Sequence, residues 1–359
     1  IYSLDIFKSV TYDQIVNAAG QSGIRITAIP REWGPNYLQF GLELSSDFSG
    51  NSDFKLGAAY TRNALNALGG ELRVTGSIGR ETGLSFDFYQ PIDTQANWFV
   101  EPHVYVNRRH FNYWENDVNL AELKISGWGA SLGLGRNLST SDRIRLDYEF
   151  ARADADVTKG DLGFPLDDDV EIGELVLEYQ HDSLDSLWFP GSGMLHRWAY
   201  VYAADELGAA FDYQQALGNG SFAWSRGRNN FALNYSGGYS FDDAAPFESW
   251  FRMGGFGRLS GLVPDQLSGR HAALGTLVYY RTLTDVKFAK AYAGATLEAG
   301  NVWNYESDIS LDDLRYSASI FVGDETPIGP VYFSLGHSEN GDSAAYFYVG
   351  NQFRISRFD

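Results

Sequence analysis

From Pro35 onward the chain alternates apolar and polar residues with a period of two, which puts one set on each face of an extended ribbon. Leu38, Phe40, Leu42, Leu44 and Phe48 alternate with Gln39, Gly41, Glu43, Ser45 and Asp47. The pattern returns over Phe54–Tyr60, Leu72–Ile78, Leu84–Phe88, Trp98–Val106 and Ile144–Phe150. Sixteen strands are predicted, at 35–48, 52–63, 70–80, 82–90, 97–110, 118–137, 141–152, 169–181, 194–204, 211–225, 228–240, 271–281, 289–302, 313–323, 330–338 and 345–354. Most run to roughly 10–13 residues, beyond the usual strand and suited to a tilted bilayer crossing. One place is awkward: apolar parity flips between Ile125 and Trp128, so 118–137 should hold a bulge or two strands.

The connections alternate in length. Short ones are expected near 64–69, 91–96, 137–142, 225–229, 282–288 and 324–329. Longer polar or acidic ones are expected near 110–118, 152–169, 205–210, 241–270, 303–312 and 339–344. The linker 182–194, with Pro190-Gly191-Ser192-Gly193, is the long exception on the short side. Short on one side and long on the other is the plan of an up-and-down outer-membrane barrel, and an even strand number puts both chain ends on one side.

Composition sharpens this reading. A soluble sandwich also alternates, but its polar set meets bulk water and is rich in Lys, Glu and Thr; here both charges mix with Gly, Ser and Tyr, as in a wet lumen. Aromatic residues make up 15% of the chain, which favours a barrel. No apolar run is long enough for a transmembrane helix, which leaves a barrel open. A net charge of −19 excludes nucleic acid as a partner and argues against anchoring on an anionic cytoplasmic leaflet. With no cysteine there is no disulfide or thiolate metal site, and no cofactor is expected. The first residue is not Met and no signal peptide is visible, so a mature or truncated piece is expected.

Two stretches stand outside the alternation. Residues 1–32 read as helix end or turn, strand, turn, strand, too short to bury a core alone. Residues 241–270 combine the glycines of Met253-Gly254-Gly255-Phe256-Gly257-Arg258-Leu259-Ser260-Gly261-Leu262 with Pro246, Phe247, Trp250, Phe251 and Leu267. That much apolar mass does not suit a free surface loop, so the segment is expected to fold inward and pack inside the barrel.

These motifs resemble the bacterial surface antigen superfamily, which includes BamA, TamA and the two-partner secretion transporters. Gly254-Gly255 followed by Leu259-Ser260-Gly261-Leu262 is similar to the family's lumenal-loop motif. Glu298-Ala299-Gly300-Asn301-Val302-Trp303 is similar to its barrel-wall motif, Thr326-Pro327-Ile328-Gly329-Pro330 to its last periplasmic turn, and Tyr346 to Phe353 to its aromatic closing strand. Residues 1–32 resemble the end of a POTRA domain. The resemblance implies an all-β, sixteen-stranded antiparallel transmembrane barrel over 33–359, preceded by an α+β POTRA fragment, in the bacterial outer membrane.

Trp33-Gly34-Pro35-Asn36-Tyr37-Leu38 running into Ser45-Ser46-Asp47-Phe48 is most similar to the PlpD-type proteins of type Vd secretion. Those join an N-terminal patatin-like phospholipase, one POTRA and a barrel. The resemblance therefore implies a translocator or anchor for a fused passenger, with no enzyme in this chain itself. The partners implied are outer-membrane lipid, the barrel assembly machinery and the passenger, with homo-oligomerisation left open. The alternatives are an assembly factor for other barrels, a two-partner secretion pore and a passive anchor.

Two departures from the family matter. Its loop Arg stands as Ser260 and its wall Asp as Glu298, which in relatives form a buried ion pair. Glu298, lumen-facing by parity with Tyr292, Gly294 and Thr296, is expected to accept from Ser260, to pair with Arg258, or to stand solvated. Relatives end on a Phe read by the assembly machinery; Phe353 is favoured for that role here over Phe358. Other chemistry is discounted. Gly-x-Ser-x-Gly is absent, six scattered His lack zinc spacing, Asp167-Asp168-Asp169 lacks the EF-hand order, and no stretch places a Ser/His pair with an acid on the outer wall.

Overall fold

The computed structural model describes residues 7–16, 20, 22–30, 36–48, 52–115, 118–162, 166, 169–186, 188–284, 290–326 and 329–350. A separate hairpin, β1 (Phe7–Val16) and β2 (Ser22–Pro30), precedes the wall. The wall then runs β3 (Asn36–Ser46), β4 (Ser52–Arg62), β5 (Glu71–Gly79), β6 (Glu81–Pro91), β7 (Trp98–Glu115), β8 (Val118–Asn137), β9 (Asp142–Gly160), β10 (Val170–Asp182), β11 (Gly193–Ala203), β12 (Tyr213–Arg226) and β13 (Asn229–Ser240). After the short pair β14 (Phe251–Met253) and β15 (Leu267–Gly269), it resumes with β16 (His271–Thr282), β17 (Lys290–Trp303), β18 (Arg315–Thr326), β19 (Gly329–Ser338) and β20 (Ser343–Gly350). Every wall strand pairs antiparallel with its neighbour, and β20 pairs with β3, so sixteen strands close without an edge.

The faces sort as the alternation requires. On β17 and β18, Leu297 and Ile320 are 62% and 63% exposed, while Thr296, Glu298 and Ser319 between them are buried. Phe40, Phe86, Leu132 and Trp198 continue the outward apolar belt. A soluble protein does not present such a face, and a closed ladder leaves no backbone group unpaired in lipid.

The parity flip in β8 has a different cause from the expected bulge or strand break. Pairing is continuous from Ile125–Ala155 to Trp128–Arg152; the register shifts lie further up, at Tyr113/Trp114 and Glu122/Leu123. A bulge does fall within 118–137, but between Ile125 and Trp128 the geometric parity does not change. What changes is the apolar side: Trp128, Leu132 and Leu134 face outward, whereas Ala121, Leu123 and Ile125 face inward, with Leu123 packing in a cluster with Tyr113, Leu162 and Phe247. The upper parts of β7, β8 and β9 thus pack against the inserted loop instead of lipid. At 18, 20 and 19 residues these strands also absorb most of the connections expected at 110–118 and 152–169.

The closing seam is described over part of its length. Among the described residues β20 and β3 pair from Ala345–Ser46 to Gly350–Gly41, against His271–Trp303 to Thr282–Tyr292 for β16 and β17. The β1–β2 hairpin agrees with the strand–turn–strand reading of 1–32, but a hairpin does not by itself define an α+β module.

Candidate functional site: the lumenal loop and the walls that hold it

Residues 241–270 leave β13, narrow through the β14–β15 ladder and turn back inside the barrel. The reversal uses left-handed backbone at Gly254 (φ 134°), Gly255 (φ 103°), Gly257 (φ 71°) and Gly261 (φ 111°), where glycine avoids the Cβ penalty. Leu259 takes φ 70° without that relief, and burial among Met253, Leu262, Leu267 and Leu274 compensates. Gly300 supports the same cluster from β17: a Cβ there would lie 2.9 Å from Leu274 Cδ1 and 2.5 Å from the Ala273 carbonyl oxygen.

Three walls hold the loop tip. On β17, Glu298 accepts from the Ser260 backbone N–H at 2.5 Å and from Ser260 Oγ at 2.6 Å. Both residues are buried, and Thr296 Oγ1 also donates to Glu298 at 2.5 Å. A carboxylate held by several donors in a buried site is a strong contact. Arg258 turns elsewhere, donating to the Arg252 carbonyl at 2.5 Å, and its side chain is exposed within the lumen. On β20, Tyr346 donates to the Leu262 carbonyl at 2.6 Å and accepts the Gly261 N–H at 2.9 Å. Backbone contact with β19 is close enough that a Cβ on Gly336 would lie 2.5 Å from Ser260 Cβ.

A fourth hold is ionic. Arg80, alone in the tight β5–β6 turn, reaches Asp265 at 2.7 Å and lies 3.8 Å from Glu43 on the seam strand β3. Burial works to raise the Asp265 carboxyl, but Arg80, Arg258, Arg252 and Arg109 outweigh it and hold it below the usual carboxylate range. Across the lumen Arg145 is clasped by Glu101 at 2.5 Å and Asp147 at 2.6 Å. This part of the interior is therefore polar and ionic.

Sequence reasoning reached Gly254, Gly255, Leu259, Ser260, Gly261, Leu262, Glu298 and Gly300, and the fold brings these together. It missed Tyr346 and Asp265 as anchors, because nothing local marks a residue whose partner lies far along the chain. It also missed a Ser–His–Asp arrangement on the outer face near the chain-end side. His181 Nδ1 lies 2.8 Å from Asp142 Oδ1, and His181 Nε2 lies 3.1 Å from Ser183 Oγ. That hydroxyl also exchanges hydrogen bonds of 3.2 Å with the Met194 carbonyl and N–H, and so closes the base of the β10–β11 connection. Asp169 pairs with Arg152 at 3.2 Å, and Phe353, Asp167, Asp168, Pro327 and Ile328 fall outside the described residues.

A closed wall, apolar outside and polar inside, with a glycine-rich loop bound within it, defines a plugged transmembrane β-barrel. The Omp85 superfamily domain matches residues 63–353, and the chain belongs to that superfamily. BamA from Haemophilus ducreyi lacking POTRA domains 1-3 is similar over 98% of this chain and 76% of its own, at 17% identity and TM-score 0.74. CdiB from Escherichia coli is similar over 97% of this chain and 68% of its own, at 14% identity and TM-score 0.69. CdiB from Acinetobacter baumannii is similar at 12% identity and TM-score 0.65. No curated protein sequence matches the chain.

Proposed function

We propose that the chain is a bacterial outer-membrane translocator or anchor for a fused N-terminal passenger of the patatin-like lipase kind, in a type V arrangement. Residues 1–32 are then the end of a POTRA domain, and Phe353 the residue read by the barrel assembly machinery. One observation carries the reading: the loop filling the lumen is tied to β20, the strand that closes the barrel against β3, as well as to β17. A plug bonded to the closing strand suits a barrel that must open, through the lumen or the seam, and reseal.

The test removes residues 254–262 from the full-length polypeptide and measures bilayer conductance and surface display of the passenger. A rise in conductance with altered display supports the reading; identical behaviour in both rejects it. Crosslinking cysteines at the paired positions Leu44 and Phe347 then separates the routes, since a locked seam stops lateral passage alone. Likeness to BamA supports assembly of other barrels as the alternative. Sequence upstream of Ile1 decides between them, by encoding a lipase or further periplasmic modules.

A further inference from the structure

The connection between β10 and β11 is the long one on the short-turn side, and it does not hang below the barrel. Asp185 folds its base, accepting from the N–H groups of Gly191 at 2.8 Å and Ser192 at 3.1 Å. Beyond that base Trp188, Phe189 and Pro190 reach across to the inner faces of β16, β17 and β19, remote from β10 in the ring order. Tyr280 donates to the Pro190 carbonyl at 2.6 Å, and Tyr332 to the Trp188 carbonyl at 3.0 Å. Phe189 is buried, with its ring stacked on Tyr292 at 4.0 Å between centroids. On β18 a Cβ on Gly323 would lie 2.6 Å from Phe189 Cζ, so that glycine leaves the space the ring occupies.

The upper loop arrives at the same place. Phe256 lies 5.6 Å from Phe321 and 6.3 Å from Tyr332, while Phe189 lies 4.9 Å from Tyr332. Phe189, Tyr280, Tyr292 and Phe321 form one buried cluster, with Phe256 and Tyr332 packed against it.

We propose that residues 188–190 are a second plug, inserted from the chain-end mouth, and that it shares one aromatic docking site with the upper loop so that each holds the other in place. Withdrawal of either ring exposes apolar surface that the other covers, and that shared surface is the coupling. The inference rests on the fold and stands whether or not the barrel serves a passenger.

The experiment records open occupancy in planar bilayers for the parent, the 254–262 deletion, the pair Tyr280→Phe with Tyr332→Phe, and the combination. The ring-preserving pair keeps the core and removes only the hydroxyls that hold Trp188 and Pro190. Phe189→Ala and Gly323→Leu evict the ring by two further routes, and heat-modifiable gel mobility verifies folding. Each lost hydrogen bond should raise opening about five-fold. In the loop-deleted barrel the same pair should raise it by a different ratio than in the parent. Strap substitutions that add nothing in the loop-deleted barrel overturn the second plug. Equal ratios in the two backgrounds overturn the shared docking site.

Discussion

The Tyr346 hydroxyl donates to the Leu262 carbonyl and accepts the Gly261 N–H, so the strand that closes the barrel also grips the tip of the loop inside it. Seam and plug are one bonded unit. Tyr346→Phe keeps the ring and removes both bonds, at about 1 kcal/mol each. The expected result is faster trypsin cleavage after Arg258 with barrel mobility on gels unchanged.

Glu298 is the heavier anchor, because it is charged, buried and accepts from both the backbone and side chain of Ser260. Glu298→Ala leaves those donors without their acceptor and should cost about 1.5–3 kcal/mol per charged hydrogen bond lost. Glu298→Gln keeps one acceptor oxygen and should fall between parent and alanine variant. Thermal unfolding in detergent ranks the three; an alanine variant as stable as the parent rejects the anchor.

Acid should loosen the loop at its other end. Asp265 is held below its unfolded value by Arg80 and the loop arginines, against the pull of burial. A carboxyl depressed in the folded state contributes fully above its unfolded value near pH 4, and the contribution is lost as pH falls through the lower folded value. Channel opening should therefore increase below about pH 4 in the parent. Asp265→Asn should be as open at neutral pH as the parent is in acid, and flat across the range.

Two glycines separate strain from collision. Gly261 and Gly341 both have positive φ, at 111° and 95°. A Cβ on Gly261 would lie 2.6 Å from the Ser338 backbone nitrogen, whereas Gly341 has open space. Gly341→Ala should show backbone strain alone, on the order of 1–3 kcal/mol. Gly261→Ala should lose more, read as a lower unfolding temperature and freer proteolysis of the loop.

On the outer face, depth in the bilayer should set the cost of a charge. Leu297 lies midway along β17, so Leu297→Arg puts a charge deep on the lipid side and should cost about 2–4 kcal/mol. Failed insertion into liposomes with normal urea solubility is the expected outcome. Arg at Ala273, outward but near the long-loop end of β16, should insert with much less loss, because the penalty falls toward the interface.

Alternation alone specified the strands, their number and their lipid-facing sides, because a period of two assigns each side chain to a face before any partner is known. Glycine spacing marked the lumenal loop for a similarly local reason: left-handed backbone at Gly254, Gly255, Gly257 and Gly261 is a property of those residues themselves. The flip at Ile125 was visible too, but its meaning was not. A greasy inner face looks the same in sequence whether a strand has slipped or whether Leu123 packs near an inserted Phe247.

Only the closed fold decided what grips the loop. Ser260 was already one expected donor to Glu298, and the fold selected it over Arg258; Leu262 finds Tyr346 and Asp265 finds Arg80 only because closing the ring brings these walls around one lumen. Such pairings depend on where the walls stand in space, and no spacing along the chain encodes that. Phe189 shows the same limit: a long turn was plain in the sequence, but its crossing of the lumen was fixed by the space Gly323 leaves on a distant strand.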